Sequence, residues 1–294
     1  MIVWLASYPK SGNTWLRAFI ASLVFGSNKK ETLENMKIIR SYPLTSDFEN
    51  LIADFKDLKK ISENWINSQR VINLNKKIKF LKTHHVLCKI NQSSFTNYEN
   101  SIGAINIVRD PRNVITSVKH YYSLKTYDEA FEFISDENKF LGKFDLKNNF
   151  GRRTQFPTFI SSWNNHYNSW KNFKKNHLLV KYEDLIEKPE KTFGTITKFL
   201  CKLLDLKVDK QKILKAIEHS SFNKLKKDEE KFGLIEAPVD HKTKIKKQFF
   251  YLGPENNWKK ILPTEIKHKI EKRFEKEMSE LGYLDDSDIK KNLY

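Results

Sequence analysis

The sequence predicts a single α/β domain of three layers, with a mostly parallel central sheet flanked by helices. Four short apolar runs are typical of buried strands, and helical patterns lie between and after them, an order that produces parallel pairing. No internal repeat and no low-complexity linker divides the chain. We therefore predict one domain over residues 1–284 and a frayed polar tail over residues 285–294. The predicted strands are Ile2–Ala6, Lys79–Thr83, Ala104–Val108 and Leu178–Tyr182.

Composition indicates a globular protein with a substantial core. Of the 294 residues, 39% are hydrophobic, and no stretch approaches the roughly 20 apolar residues that span a membrane. Because the first predicted strand directly follows Met1, we expect neither a signal nor a transit peptide. The two cysteines, Cys88 and Cys201, are too few for a disulfide framework. We therefore predict a cytoplasmic protein.

The formal net charge of +17 favours acidic ligands. Only eight of the 53 basic residues are arginine, however, whereas direct recognition of bases and phosphates favours the bidentate guanidinium. The charge therefore indicates that the protein handles an anion, without identifying it. We predict no specific binding of nucleic acid.

The loop after the first predicted strand has the features of an anion site. Tyr8-Pro9-Lys10-Ser11-Gly12-Asn13-Thr14-Trp15 leads into Leu16–Val24, which is apolar enough for a buried helix. Backbone N–H groups and the helix dipole at such a junction attract phosphate, and Lys10 adds a positive charge. The loop of nucleotide triphosphatases has two glycines before Lys-Ser/Thr, whereas here Lys10 precedes the single Gly12. The alternative is an ordinary strand–turn–helix with a chance lysine.

The second predicted strand ends with two side chains suited to proton and charge transfer. In Phe80-Leu81-Lys82-Thr83-His84-His85, alternation places Lys82 and His84 on the same face. A histidine can accept a proton at neutral pH, and a lysine can stabilise negative charge that develops nearby. We expect His85 to point away and to be structural or exposed.

The third predicted strand leads into a second anion pocket. Asp110 is a good N-cap and Pro111 suits the first helical position, so Arg109 stands between a strand end and a helix start. Ser117 lies two turns into this helix, on a different face from its apolar side. The alternative is that Arg109 pairs with a neighbouring carboxylate.

These motifs resemble those of the sulfotransferases that use 3′-phosphoadenosine 5′-phosphosulfate (PAPS). Pro-Lys-Ser-Gly-Asn-Thr-Trp is similar to their phosphosulfate-binding loop, and Lys-Thr-His to their catalytic strand. The resemblance implies that His84 is the base, assisted by Lys10 and Lys82. It also implies a P-loop-like cofactor site, formed by Lys10, Ser11, Gly12, Asn13, Thr14, Trp15, Arg109, Ser117, Tyr182, Ser220, Phe222 and Gly253. Tyr251 and Leu252 stand where the family has a basic pair that binds the 3′-phosphate.

We therefore predict sulfuryl transfer from PAPS to a hydroxyl or amine acceptor, with Arg109 and Ser117 on the 3′-phosphate and no metal. We expect the acceptor to bind between two polar, irregular insertions, Ser27–Lys77 and Ser123–Pro157. One alternative is a kinase that uses ATP, which is disfavoured by the missing Gly-Lys-Ser/Thr and the lack of an evident magnesium-binding aspartate. The non-enzymatic alternative is a lysine-rich nucleic-acid-binding protein.

Overall fold

The four predicted strands form one parallel sheet in the computed structural model, which describes residues 1–26, 32–53, 55, 57–142, 156–240 and 245–284. The strands in the described residues are β1 Ile2–Ser7, β2 Lys79–Thr83, β3 Lys89–Ile90, β4 Ser93–Ser94, β5 Ser101–Val108, β6 Phe140–Leu141, β7 Thr158–Phe159 and β8 His177–Lys181. The spatial order in the parallel sheet is β2–β1–β5–β8, and two short antiparallel ribbons, β3–β4 and β6–β7, lie outside it. In the register, Leu5 of β1 lies between Lys82 of β2 and Ile105 of β5.

Helices cover both faces of this sheet. Three short 3-10 helices, at Met36–Ile38, Thr45–Asp47 and Gly253–Glu255, accompany them. The α-helices in the described part of the chain are α1 Asn13–Phe25, α2 Thr32–Asn35, α3 Leu58–Glu63, α4 Trp65–Asn73, α5 Pro111–Tyr121, α6 Tyr127–Ser135, α7 Trp163–Lys171, α8 Tyr182–Glu187, α9 Pro189–Leu204, α10 Lys210–His219, α11 Phe222–Phe232, α12 Trp258–Ile261, α13 Thr264–Arg273 and α14 Glu275–Glu280.

Strand alternation divides the core into two layers around the sheet. Val3 and Leu5 of β1 pack with side chains of α1 and α9, such as Phe19. Trp4 lies in the cluster on the opposite face, which includes Trp65 of α4. All six residues of β1 are buried, as expected for a strand covered on both sides. This arrangement confirms the predicted three-layer α/β fold with a parallel sheet.

The first insertion is more regular than predicted. It contains α3 and α4, and its residues Phe48, Ile61 and Trp65 are buried in the core. The prediction of an irregular segment was wrong because its polar composition hid the few apolar side chains that anchor it to the sheet. Parts of both insertions, residues 27–31, 54, 56 and 143–155, lie outside the described residues, as does the tail predicted over 285–294.

Within the described ranges, no helix is long and apolar enough to cross a membrane. Cys88 and Cys201 are both free thiols. The single-domain boundaries over residues 1–284 remain a prediction.

Candidate active site

A cavity of about 790 Å³ opens at the carboxyl ends of β1, β2 and β5. This is where ligands bind in open parallel sheets, and the volume is within the range of small-molecule sites. The three predicted cationic or catalytic positions Lys10, Lys82 and His84 all line it, as does Arg109. Further lining residues come from the first insertion and from the segment after α11, among them Met36, Arg40, Ser41, Leu44, Glu236 and Lys246.

The loop between β1 and α1 is folded as an anion cradle. Gly12 adopts φ 101, and a Cβ there would lie 2.4 Å from the Tyr182 ring, so glycine is required on both counts. No side chain caps the N-terminus of α1 at Gly12, as expected where the first N–H groups of a helix face a ligand. The Ser11 hydroxyl is buried and has no hydrogen-bond partner among the residues that the structure describes. The Asn13 side chain is bonded within the protein instead. Its amide donates to the Leu5 carbonyl at 2.9 Å and connects the loop to the sheet.

Lys10 itself has a left-handed backbone, with φ 66. This conformation costs about 1–2 kcal/mol in a residue with a side chain. Its Nζ lies over two aromatic rings, 4.3 Å from the Tyr121 centroid and 3.7 Å from the Phe249 centroid. Burial, together with the nearby cations Lys82 and Arg109, lowers the pKa of Lys10 to about 7. The loop therefore presents an ammonium that loses its proton easily.

His84 lines the cavity as a neutral imidazole. Its Nδ1 lies 2.7 Å from the Ser7 carbonyl oxygen, which can only accept, so Nδ1 carries the proton. The Nε2 atom is then an acceptor. Burial and the neighbouring Lys82 lower the pKa of His84 well below its ordinary value, which keeps the ring neutral at pH 7. A neutral ring with an acceptor nitrogen can take up a proton, as a general base must.

His85 occupies the aromatic core, as predicted for a structural histidine. Its ring stacks on Phe95 at a centroid distance of 4.3 Å, and its Nδ1 bonds to the Val86 carbonyl at 2.7 Å. The neighbouring histidines thus lie in different environments, one in the cavity and one in the core.

Lys82 lies in an ionic group that the sequence did not predict. Its Nζ is 3.6 Å from Oε2 of Glu236, whose Oε1 accepts from the Arg17 guanidinium at 2.7 Å. Arg17 lies one turn after Asn13 in α1 and is buried. We call Arg17, Glu236 and Lys82 the charge triad.

Arg109 has no carboxylate partner among the described residues, so the alternative of a simple ion pair does not hold there. Its guanidinium donates to the Lys10 carbonyl at 3.2 Å and to the Ser117 hydroxyl at 3.4 Å, and Nε is buried without a partner. Arg112, three residues later, is paired instead with Asp110 and Glu271. Of these two arginines, Arg109 is therefore the one with charge left for a ligand.

Aromatic rings form the wall next to Arg109. The Arg109 guanidinium lies 4.1 Å from the centroid of Tyr182, and Trp15 meets the same ring edge-on at 5.7 Å. Across the cavity, Gly253 lies so close to Phe222 that a Cβ would be 2.2 Å from the ring. Trp15, Tyr182, Phe222 and Gly253, four of the residues predicted to form the cofactor site, all line the cavity.

Ser220 is in a different position from the other predicted residues. It is fully buried, does not line the cavity, and its hydroxyl donates to the Ala216 carbonyl at 2.8 Å. Tyr251 and Leu252 line the cavity in place of the family's basic pair, and Tyr251 stacks on His120 at 4.0 Å. The structure leaves the role of Ser220 as an untested prediction.

Sequence analysis missed the charge triad, the rings around Lys10 and the contact of Asn256 with Ser117, at 3.0 Å. Arg17 could have been noticed, because it follows Asn13 by four residues and shares its helix face. Glu236 lies 219 positions after Arg17 and more than 150 after Lys82, and Phe249 lies more than 200 after Lys10, so no local pattern marks these contacts.

Fold and site together define a transferase that handles an anionic group. The chain matches the sulfotransferase domain family over residues 2–282, and it therefore belongs to that family. It is 24% identical to sulfotransferase 1B1 of Canis lupus familiaris over 277 residues, which cover 94% of this chain and 82% of that protein. It is 25% identical to flavonol 3-sulfotransferase of Flaveria bidentis over 292 residues, with coverages of 95% and 82%.

Solved structures share the fold at lower sequence identity. The mouse sulfotransferase SULT7A1, complexed with PAP, has a TM-score of 0.56 and 21% identity, covering 94% of this chain and 83% of that one. Retinol dehydratase, in a complex with retinol and PAP, has a TM-score of 0.59 and 17% identity, with coverages of 94% and 81%.

Proposed function

We propose that this protein transfers a sulfuryl group from PAPS to a hydroxyl or amine acceptor and releases 3′,5′-diphosphoadenosine (PAP). The observation that carries the proposal is His84, which lines one cavity with Lys10, Lys82 and Arg109 and whose Nδ1 bonds to the Ser7 carbonyl, so that Nε2 is the acceptor nitrogen. Membership of the sulfotransferase family and the PAP complexes of structural neighbours support the choice of donor.

The residues of the cavity fit this donor. The backbone of Lys10–Thr14 would bind the 5′-phosphosulfate, and Arg109 with Ser117 the 3′-phosphate. Buried polar atoms without partners, Ser11 Oγ and Arg109 Nε among them, mark places where a ligand would supply hydrogen bonds. Trp15, Tyr182 and Phe222 would enclose the adenine.

The chemistry follows from the positions of the side chains. The acceptor oxygen or nitrogen attacks sulfur, the bond from sulfur to the phosphate oxygen of the donor breaks, and His84 Nε2 takes the acceptor proton. Lys10 and Lys82 stabilise the negative charge on the sulfonate and on the leaving oxygen. The sulfuryl group is supplied by the donor, and the protein contributes orientation, a base and two cations.

Relatives support a hydroxyl as the accepting group. One is named for the 3-position of a flavonol, and a structural neighbour binds retinol. Here the acceptor would lie against the first insertion, where Met36 and Leu44 provide apolar surface and Arg40 and Ser41 provide polar groups. An acceptor with an apolar body and one reactive hydroxyl fits this lining.

Calorimetric titration of the purified chain with PAP, AMP and ATP with magnesium tests the donor. PAP should bind at least tenfold more tightly than AMP, since each charge-assisted contact to the 3′-phosphate contributes roughly 1.5–3 kcal/mol. Equal affinity for PAP and AMP would refute the role of Arg109. If ATP with magnesium bound most tightly, the kinase alternative would replace this proposal.

A further inference from the structure

The carboxylate of Glu236 is placed among cations at the reacting end of the cavity. Its side chain retains 26% exposure, whereas the side chains of its partners Arg17 and Lys82 retain 3% and 14%. The backbone that carries it is fixed as well, because the Tyr121 hydroxyl donates to the Glu236 carbonyl at 3.2 Å. Glu236 is therefore held in the cavity by both its side chain and its main chain.

The cations around this carboxylate repel one another. Lys82 is buried beside Arg17 and in the field of Lys10, an environment that favours a neutral amine. Glu236 is the carboxylate in ion-pair contact with Lys82 within the described residues. Glu229 also raises the pKa of Lys10. Its two carboxylate oxygens accept hydrogen bonds from the Phe249 and Phe250 backbone amides.

We propose that Glu236 is a positioning residue for the proposed sulfuryl transfer, which through its ion pair keeps the Lys82 ammonium protonated and beside His84. The inference rests on the proposed function, because it assigns Lys82 a role in that reaction. Burial lowers the pKa of Lys82, and Glu236 opposes this effect. Although burial alone would raise the pKa of Glu236, Lys82 and Arg17 lower it well below its ordinary value, so it stays ionised.

The charged and titratable groups that face the triad come from four parts of the fold. They are Lys10 in the loop after β1, Arg17 on α1, Lys82 and His84 on and after β2, and Tyr121 on α5. Arg17 lowers the pKa of Lys82, whereas Glu236 raises it. Removing each of the two should therefore move the Lys82 titration in opposite directions.

The test is the pH dependence of kcat at saturating PAPS with an alcohol acceptor that does not titrate. Glu236→Gln should move the alkaline loss of activity at least one pH unit toward acid, because an opposite charge at this distance shifts a pKa by about 1–3 units. Arg17→Gln should move it toward higher pH. Glu230→Gln, which removes a carboxylate from the exposed side of α11, is the matched control and should leave the profile unchanged.

A Lys82→Arg background adds a test by conservative replacement. A guanidinium does not lose its proton in this range, so adding Glu236→Gln there should cause no shift. Shifts of the two single variants in the same direction, or an equal loss for Glu236→Gln at every pH, would overturn the proposal. So would tighter PAP binding by Glu236→Gln, which would mean that Glu236 competes with the donor.

If Glu236→Gln does not fold, Arg17→Gln decides alone, and a profile that stays in place or moves toward acid overturns the inference. Titration of the wild-type chain with PAP distinguishes a failure of the proposed function from a failure of the role of Glu236. Absence of PAP binding would refute the proposed function, whereas PAP binding with an unmoved profile would refute only the role of Glu236.

Discussion

Raising the pH from 7 to 9 should weaken the binding of PAP about 50-fold, because Lys10 loses its proton in the free protein. Its pKa is about 7, owing first to burial and then to Lys82 and Arg109. A bound 5′-phosphate beside the ammonium favours the charged form, so binding above pH 7 must take up a proton. Lys10 of the free protein is already about half deprotonated at pH 7, so the affinity falls by a factor of about 101/2, which is about 2.3 kcal/mol at about 1.36 kcal/mol per factor of ten.

Calorimetry in two buffers of different ionisation enthalpy measures both the affinity and the number of protons taken up. Above pH 7 the phosphate groups of PAP are already ionised, since their second pKa is about 6, so the ligand adds little to the dependence. Lys10→Arg removes the titration and should flatten the curve. Wild-type affinity that stays constant from pH 7 to 9, or the same slope in Lys10→Arg, would refute the reasoning.

Three further predictions separate binding, chemistry and stability. Arg109→Gln should weaken the binding of PAP at least tenfold in calorimetry and leave the binding of AMP unaffected. Glu271→Gln should instead lower the free energy of unfolding by about 3–5 kcal/mol in denaturant titrations, because it breaks a buried ion pair. An equal loss of stability in both variants would contradict the assignment of Arg109. Gly253→Ala should weaken PAP binding without a comparable loss of stability, since the added methyl collides with an aromatic ring at the cavity wall, and unchanged PAP affinity would place Gly253 outside the site. His84→Ala should leave PAP affinity nearly unchanged and lower turnover by roughly two to four orders of magnitude, whereas His85→Ala should affect turnover much less; comparable losses in two folded variants would mean that His84 is not the base.

Much of the fold was predictable because its signals are local. Strand alternation fixed which side chains of β1 face each layer, and Asp110 caps α5 as its sequence position indicates, accepting from the Arg112 amide at 2.9 Å. The same local alternation predicted that Lys82 and His84 share one face and that His85 points away, and in the structure the first two line the cavity while His85 packs in the core. Gly12 was recognisable for a similar reason, since a tight loop before a buried helix needs a residue that tolerates a positive φ.

The remaining features depend on contacts between distant segments. Arg17 and Glu236 are separated by 219 positions, and neither has a neighbouring residue that would reveal the pairing. The aromatic cover of Lys10 likewise joins α5 to the segment before the last helices. Ser220 shows the opposite case, because the family resemblance places it in the cofactor site while the fold turns its hydroxyl toward the Ala216 carbonyl of α10.

The most direct test of the central claim is transfer of radiolabelled sulfuryl from PAPS to a mixture of phenols, alcohols and amines, followed by mass spectrometry of the products. The wild-type chain should form a labelled organic sulfate and an equal amount of PAP. His84→Ala, under conditions where it binds PAP as tightly as the wild type, should form at least 100-fold less product. PAP binding without any labelled product from the wild type, or equal product from His84→Ala, would contradict the account.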